Sequence, residues 1–191
     1  MRIIECQQLL ASGLAATRSA PEEGSILGEL ARKVYGMAAA YESDGLTFCA
    51  SGDPINGHAA FFYGFGWLHF GYTFGVLTSC GEAGCPFSGA AEILSAEYRE
   101  RLREKTTRYC RLLDLARSSV TRGADPATTA SAFSDRILCI VGSYAHQGKT
   151  FLDAGKDEDA LACFSYGHGW LDAAVTSGLF CIVSERDIFT V

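Results

Sequence analysis

Sliding the chain along itself by 103 residues lays positions 41–77 on 144–180 without a gap, and fourteen of the 37 pairs are identical. Among them are Tyr41/Tyr144, Gly52/Gly155, Tyr63/Tyr166, Gly64/Gly167, Gly66/Gly169, Trp67/Trp170, Leu68/Leu171 and Gly75/Gly178, so both tryptophans of the chain fall in register. The same shift sets Leu9 and Leu10 on Leu112 and Leu113, and Leu30, Val34, Met37 and Ala38 on Phe133, Ile137, Ile140 and Val141. A repeat at this period spans nearly all of a 191-residue chain and reads as a tandem duplication. Whatever one copy folds into, the other must fold into as well.

Within each copy the apolar spacing is helical: Leu30, Val34, Met37, Tyr41 and Phe48 in the first, Phe133, Ile137, Ile140, Tyr144 and Phe151 in the second. Asp53-Pro54 and Asp125-Pro126 read as N-caps followed by a first-turn proline, and Gly52 and Gly155 stand where a helix end wants positive φ. Helices are therefore predicted near 2–18, 25–50, 54–78, 91–121, 126–153 and 157–181. The expected fold class is all-α: two tandem three-helix units, 1–78 and 91–191, packed as a pseudo-two-fold six-helix bundle. Residues 79–90 are the linker, and the closing SERDIFTV is a short extended tail. The third helices carry small residues at Gly64, Gly71 and Gly75, matched by Gly167, Ala174 and Gly178, a stripe expected to bring the two copies together.

Composition narrows the function classes. With 48% hydrophobic residues and a net charge of -6, the chain can bury a core and is not a disordered tail. An acidic chain does not coat nucleic acid through its overall field. Residues 54–81 carry no charged side chain and contain a Gly-x-x-x-Gly, yet the equivalent helix holds His168 and Asp172 in mid-segment. That favours a buried central helix over a membrane span. The N-terminus carries Glu5 and two glutamines where a signal peptide has an unbroken apolar run, so a cytoplasmic protein is expected. Of eight cysteines, six are scattered and read as reduced, buried thiols. Cys80 and Cys85 lie in the linker, with spacing wider than a metal pair uses and no further ligands nearby.

The run Tyr166-Gly167-His168-Gly169-Trp170-Leu171-Asp172 is the most distinctive chemistry. His168 and Asp172 are four apart and share a helix face, as an ion pair would require. The shift places His69 opposite Asp172, so the two are expected to meet across the pseudo-two-fold and form a polar pocket with His168 or a pair that fixes helix register. Tyr63 and Trp67, with Tyr166 and Trp170, are candidates to line a ligand cleft or to fill the core. Residues 97–122 hold eight of the 16 basic residues against four acidic ones, and Arg101, Lys105, Arg108 and Arg111 fall on the face away from Tyr98, Leu102, Tyr109, Leu113 and Ala116. That face suits a phosphate backbone or an acidic partner, although Glu100 and Glu104 also make it an ordinary solvated one.

The residues Phe151-Leu152-x-x-Gly155, Tyr166-Gly167-x-Gly169-Trp170-Leu171-Asp172-Ala173, Gly178-Leu179-Phe180 and Ile188-Phe189-Thr190-Val191 resemble the domain of unknown function 357 family. The resemblance implies a short all-helical protein of an archaeal cytoplasm, without an established activity, whose single-copy members would pair as the copies do here. The first copy departs from the family pattern at His69, where an Asp is usual. The phrase FLDAGKDEDALACFSYG is similar to a tetratricopeptide helix, but a 103-residue period is not that of a solenoid.

The expectation is a monomeric, non-enzymatic binding or scaffold protein with no cofactor, no metal and no assigned catalytic residue. The alternatives are a nucleic-acid-associated or nuclease-like protein using the basic helix, and a small-molecule enzyme centred on His168, Asp172 and His69.

Overall fold

A computed structural model describes residues 3–81, 86, 87, 94 and 96–190. The first half runs α1 (Ile3–Ala16), β1 (Thr17–Ser19), α2 (Ile26–Ala50), α3 (Pro54–Phe74) and β2 (Leu77–Ser79). The second repeats that order as α4 (Arg99–Ser118), β3 (Val120–Arg122), α5 (Thr129–Asp153), α6 (Asp157–Thr176) and β4 (Phe180–Ile182). All-α architecture with six helices is what the periodicity predicts.

The caps set the ends. Ser25 accepts from the Gly28 N–H and Thr128 from the Ser131 N–H, opening α2 and α5, while Asp53 accepts from the Asn56 N–H ahead of Pro54 at the start of α3. Asp125-Pro126 does not open α5 as expected: Asp125 instead closes a turn, its side chain accepting from the Ala127 N–H and its carbonyl from the Thr128 N–H. Gly52 and Gly155 have φ of 81° and 72°, the left-handed geometry predicted for them.

Each half is closed by a three-residue ribbon that the helical reading runs straight through. β1 pairs with β2 at Thr17↔Ser79, and β3 with β4 at Val120↔Ile182, the same register displaced by 103 residues. The ribbon ties the end of each first helix to the end of its third. Helix α4 begins at Arg99 after a 3-10 turn at Ala96–Tyr98, and the expected stretch before it, with most of the 79–90 linker, lies outside the described residues.

Helices α3 and α6 are central and buried on nearly every side, which accounts for the uncharged run at 54–81. No helix among the described residues is long and apolar enough to cross a membrane. The outer helices pack on these two in matching ways. A Cβ on Gly45 would stand 2.3 Å from the Phe61 ring and one on Gly148 2.5 Å from the Phe164 ring, so each second helix is notched to receive a phenylalanine of its third.

The small-residue stripe does other work than expected. Gly64 faces Leu10 and the Ala38 carbonyl within its own half, Gly167 faces Leu113 and Tyr144, and Gly75 caps α3 at φ 87°. The two halves meet instead at Gly66 and Gly169. A Cβ on Gly66 would lie 2.5 Å from the Tyr166 carbonyl oxygen, and one on Gly169 would lie 2.3 Å from that of Tyr63. These equivalent glycines mark where the pseudo-two-fold axis passes between α3 and α6.

Candidate functional site

Around the Gly66/Gly169 crossing the polar side chains pair across the halves, but not as the sequence suggests. Tyr63 donates its hydroxyl to Asp172 Oδ2, and Tyr166 Oη lies 2.8 Å from His69 Nδ1. Under the 103-residue shift these are one contact seen twice. His69 and Asp172 therefore do not pair with each other; each takes a tyrosine of the opposite copy. Behind the tyrosines stand Tyr41, 4.4 Å between ring centroids from Tyr63, and Tyr144, 4.5 Å from Tyr166.

The expected His168–Asp172 ion pair is absent as well. His168 hydrogen-bonds to the Ile188 backbone, and burial pushes its pKa down despite the nearby Asp172 carboxylate. Asp172 is fully buried, and among the described residues no cation lies within ion-pairing distance of it. Its Oδ2 accepts from Tyr63, from Thr190 Oγ1 at 2.5 Å and from the Thr190 N–H at 3.3 Å, while Oδ1 has no partner among the described residues. Thr190 belongs to the closing segment, which is not the extended tail expected. After β4 the chain reverses at Glu185, the only non-glycine with positive φ among the described residues, forms a 3-10 turn at Arg186–Ile188, and buries Phe189 against His168. The distinctive motif thus holds the C-terminal segment down.

The electrostatics favour clamping over acid–base chemistry. Burial, then the Asp172 and Tyr41 charges, push the Tyr63 hydroxyl well up, and burial and Asp172 bring Tyr41 to about 12. Burial lowers His69 to about 4 and His58 to about 4. Phenols that keep their protons and imidazoles that stay neutral serve as fixed hydrogen-bonding groups.

The basic helix is partly spent on internal contacts. Lys105 is not outward: its ammonium bonds Asn56 Oδ1 and lies 4.9 Å from the Tyr109 ring centroid, and burial together with Arg108 lowers it to about 8. Arg101 pairs with Asp53 at 3.6 Å and Arg103 with Asp157 at 2.6 Å, across the N-termini of α3 and α6. Arg108 and Arg111 remain exposed and, among the described residues, without an ion pair. No group of three or more potential metal ligands assembles among the described residues. Cys85 lies outside them; Cys80 is a free, exposed thiol, as are Cys139 and Cys181, which the sequence reading had placed in the interior.

A cleft of about 660 Å³ opens beside the crossing, where α2, Trp67 of α3, the end of α6, β4 and the C-terminal segment converge. Its apolar lining is Met37, Trp67, Val175, Phe180 and Ile182; Arg32, Lys33 and Arg186 supply charge, and Thr176 and Thr190 hydroxyls. Of the ligand-binding candidates Tyr63, Trp67, His69, Tyr166, His168, Trp170 and Asp172, Trp67 alone lines it. Trp67 is 1% exposed, and neither its indole N–H nor the Thr176 hydroxyl finds a partner among the described residues. Asp172 reaches the cleft only through Thr190. Sequence reasoning missed Arg32, Lys33, Thr176 and Arg186, which are scattered over 150 residues with no motif joining them. Thr190 was visible only inside the closing run of the family pattern.

No curated protein and no solved structure matches the chain in comparison. The pattern described as Protein of unknown function (DUF357) matches twice, over residues 7–77 and 108–180, each match running from the first helix through the central helix to the closing ribbon. With both halves of the fold accounted for in this way, the chain belongs to the DUF357 family.

Proposed function

We propose that the protein is a non-enzymatic binding protein in which the repeat supplies a rigid helical scaffold and the 660 Å³ cleft beside Trp67 is the binding site. The observation that carries this reading is the division of polar groups. At the axis Tyr63 closes on Asp172 and Tyr166 on His69, while Lys33 and Arg186, without an ion pair among the described residues, line a concave space together with Trp67 and Thr176. A volume of this size lies in the range of about 300–1,000 Å³ typical of small-molecule sites. The protein is taken to be an archaeal cytoplasmic monomer in which duplication has replaced homodimerisation, since α3 and α6 already bury each other's crossing faces.

Native mass spectrometry of protein purified from its own host tests the reading. Expected is a monomer carrying an excess mass of a few hundred daltons that denaturation releases. A homodimer, or a bare chain that no small-molecule library stabilises thermally, would count against it. Of the four candidates of the nucleic-acid reading, Lys105 and Arg101 are engaged and Arg108 and Arg111 are left, and that reading predicts RNA binding at low salt that vanishes as salt rises.

A further inference from the structure

We infer that the cleft takes an anion, a carboxylate or phosphate head on an apolar body, and that the C-terminal segment is a working part of that site. The inference rests on the proposal that the cleft binds a small molecule and adds the chemistry of what it binds.

The argument begins with sign. Acidic residues outnumber basic ones 22 to 16 in the chain, yet three cations and no carboxylate line this cleft. Among the described residues Lys33 and Arg186 have no acidic partner within ion-pairing distance, and Arg32 has only an exposed bond to Glu29, whose charge Lys33 also feels. Cations of like sign gathered at one cleft repel one another, and an anion between them removes that repulsion. Beneath them the walls are Trp67, Met37, Val175 and Ile182, which offer nothing to a small hydrated ion and a good surface to a hydrocarbon.

The third cation is delivered by a segment the rest of the fold holds in place. Arg186 follows the left-handed Glu185, φ 50°, and precedes Phe189 and Thr190, which are pinned on His168 and Asp172. Arg186 and Thr190 both line the cleft, so docking of this segment and completion of the anion site are one event. The buried Asp172 carboxylate is thereby a positioning residue for the cleft.

The test uses three probes with one apolar body: octanoate, octyl phosphate and octanol, titrated calorimetrically into the full chain, the Lys33→Gln/Arg186→Gln variant and Gly36→Phe. Gly36 lines the cleft and a Cβ there meets nothing within 4 Å, so a phenylalanine fills the space without disturbing the fold, which circular dichroism verifies. Expected are both anions binding at least about tenfold more tightly than octanol, a difference within about twofold in the double variant, and loss of all binding in Gly36→Phe. Whichever anion binds more tightly identifies the head group. If octanol binds as well as the anions and Gly36→Phe abolishes all three, the anion inference is overturned and the binding reading stands. If no probe binds the unmodified chain, or Gly36→Phe leaves binding unchanged, both fall.

Discussion

The two sides of the α3–α6 crossing are built on one plan and end in different chemistry. On one side Tyr63 donates its hydroxyl to Asp172, which also accepts twice from Thr190; on the other Tyr166 meets His69, and Phe87 lies 5.3 Å from the Tyr166 ring with no hydrogen bond of its own to offer. The shift by 103 residues sets Asp172 on His69 and Thr190 on Phe87, and it sets the cleft residues Arg32, Lys33 and Arg186 on Asp135, Arg136 and Ala83. Asp135 is taken up by Arg122. Packing at the axis is therefore common to both copies, while the anchor for the following segment and two of the three rim cations, Arg32 and Arg186, belong to one. What the halves share serves the fold, and what they do not share points to the site.

The shared part breaks first. A methyl group at Gly66 or Gly169 collides with backbone of the opposite helix, which cannot rotate away, so Gly66→Ala and Gly169→Ala should each cost on the order of 4 kcal/mol or prevent folding. Equal losses by chemical denaturation would establish the axis as symmetric; a loss under about 1 kcal/mol at either would mean the helices do not cross there.

The unshared part is next. Asp172→Ala takes the acceptor from the Tyr63 and Thr190 donors in the interior and should cost about 2–3 kcal/mol, whereas His69→Ala removes one hydrogen bond of Tyr166 and should cost about 1 kcal/mol. Asp172→Ala should also expose the closing segment to protease, and His69→Ala should not. Equal costs with equal proteolysis would remove the distinction drawn between the two sides.

How much of this was legible in the sequence follows the same line. The repeat and its 3.6-residue periodicity give the six helices, because a copy matched at Tyr41/Tyr144 and Trp67/Trp170 cannot adopt a different fold from its partner. The ribbons stayed hidden because three-residue strands such as Thr17–Ser19 are fixed by backbone pairing and leave no alternation to read. The glycine stripe misled because a missing side chain admits any neighbour: Gly64 makes room for Leu10, and only Gly66 for another backbone. His69 and Asp172 were recognisable as polar groups at the axis and Tyr63 and Tyr166 only as aromatics of a cleft or core, because which groups pair depends on side-chain reach across the axis. The cleft depends on where the chain goes after Ile182, a reversal that no periodicity encodes.

Acid sharpens the contrast through the histidines. Burial holds His69 at about 4 in the folded chain against an ordinary value near 6.5, so between those values the unfolded chain binds more protons and stability rises with pH. Lowering the pH from 7 to 5 should therefore cost about 1–2 kcal/mol through His69, and fully buried His58 adds a loss of the same sign. His69→Gln should flatten the stability curve over that interval relative to the unmodified chain. A curve of unchanged slope would mean that His69 reaches water, and the Tyr166 side would then be the open one.

The smallest effect concerns the reversal itself. Glu185 holds φ at 50°, a conformation costing an L-residue roughly 1–2 kcal/mol, while glycine adopts it freely but loses more backbone entropy on folding. Glu185→Gly should thus change global stability by only about 0.5 kcal/mol in the stabilising direction. The informative comparison is with Thr190→Val, which keeps the size of the side chain and removes the hydroxyl bond to Asp172. If the segment is held by its anchor, Thr190→Val should speed amide exchange at Ile188–Thr190 about tenfold while Glu185→Gly leaves those amides protected. If Glu185→Gly alone loosens them, the turn and not Asp172 sets the position of Arg186, and the asymmetry between the two sides of the axis has a local cause in the backbone after β4.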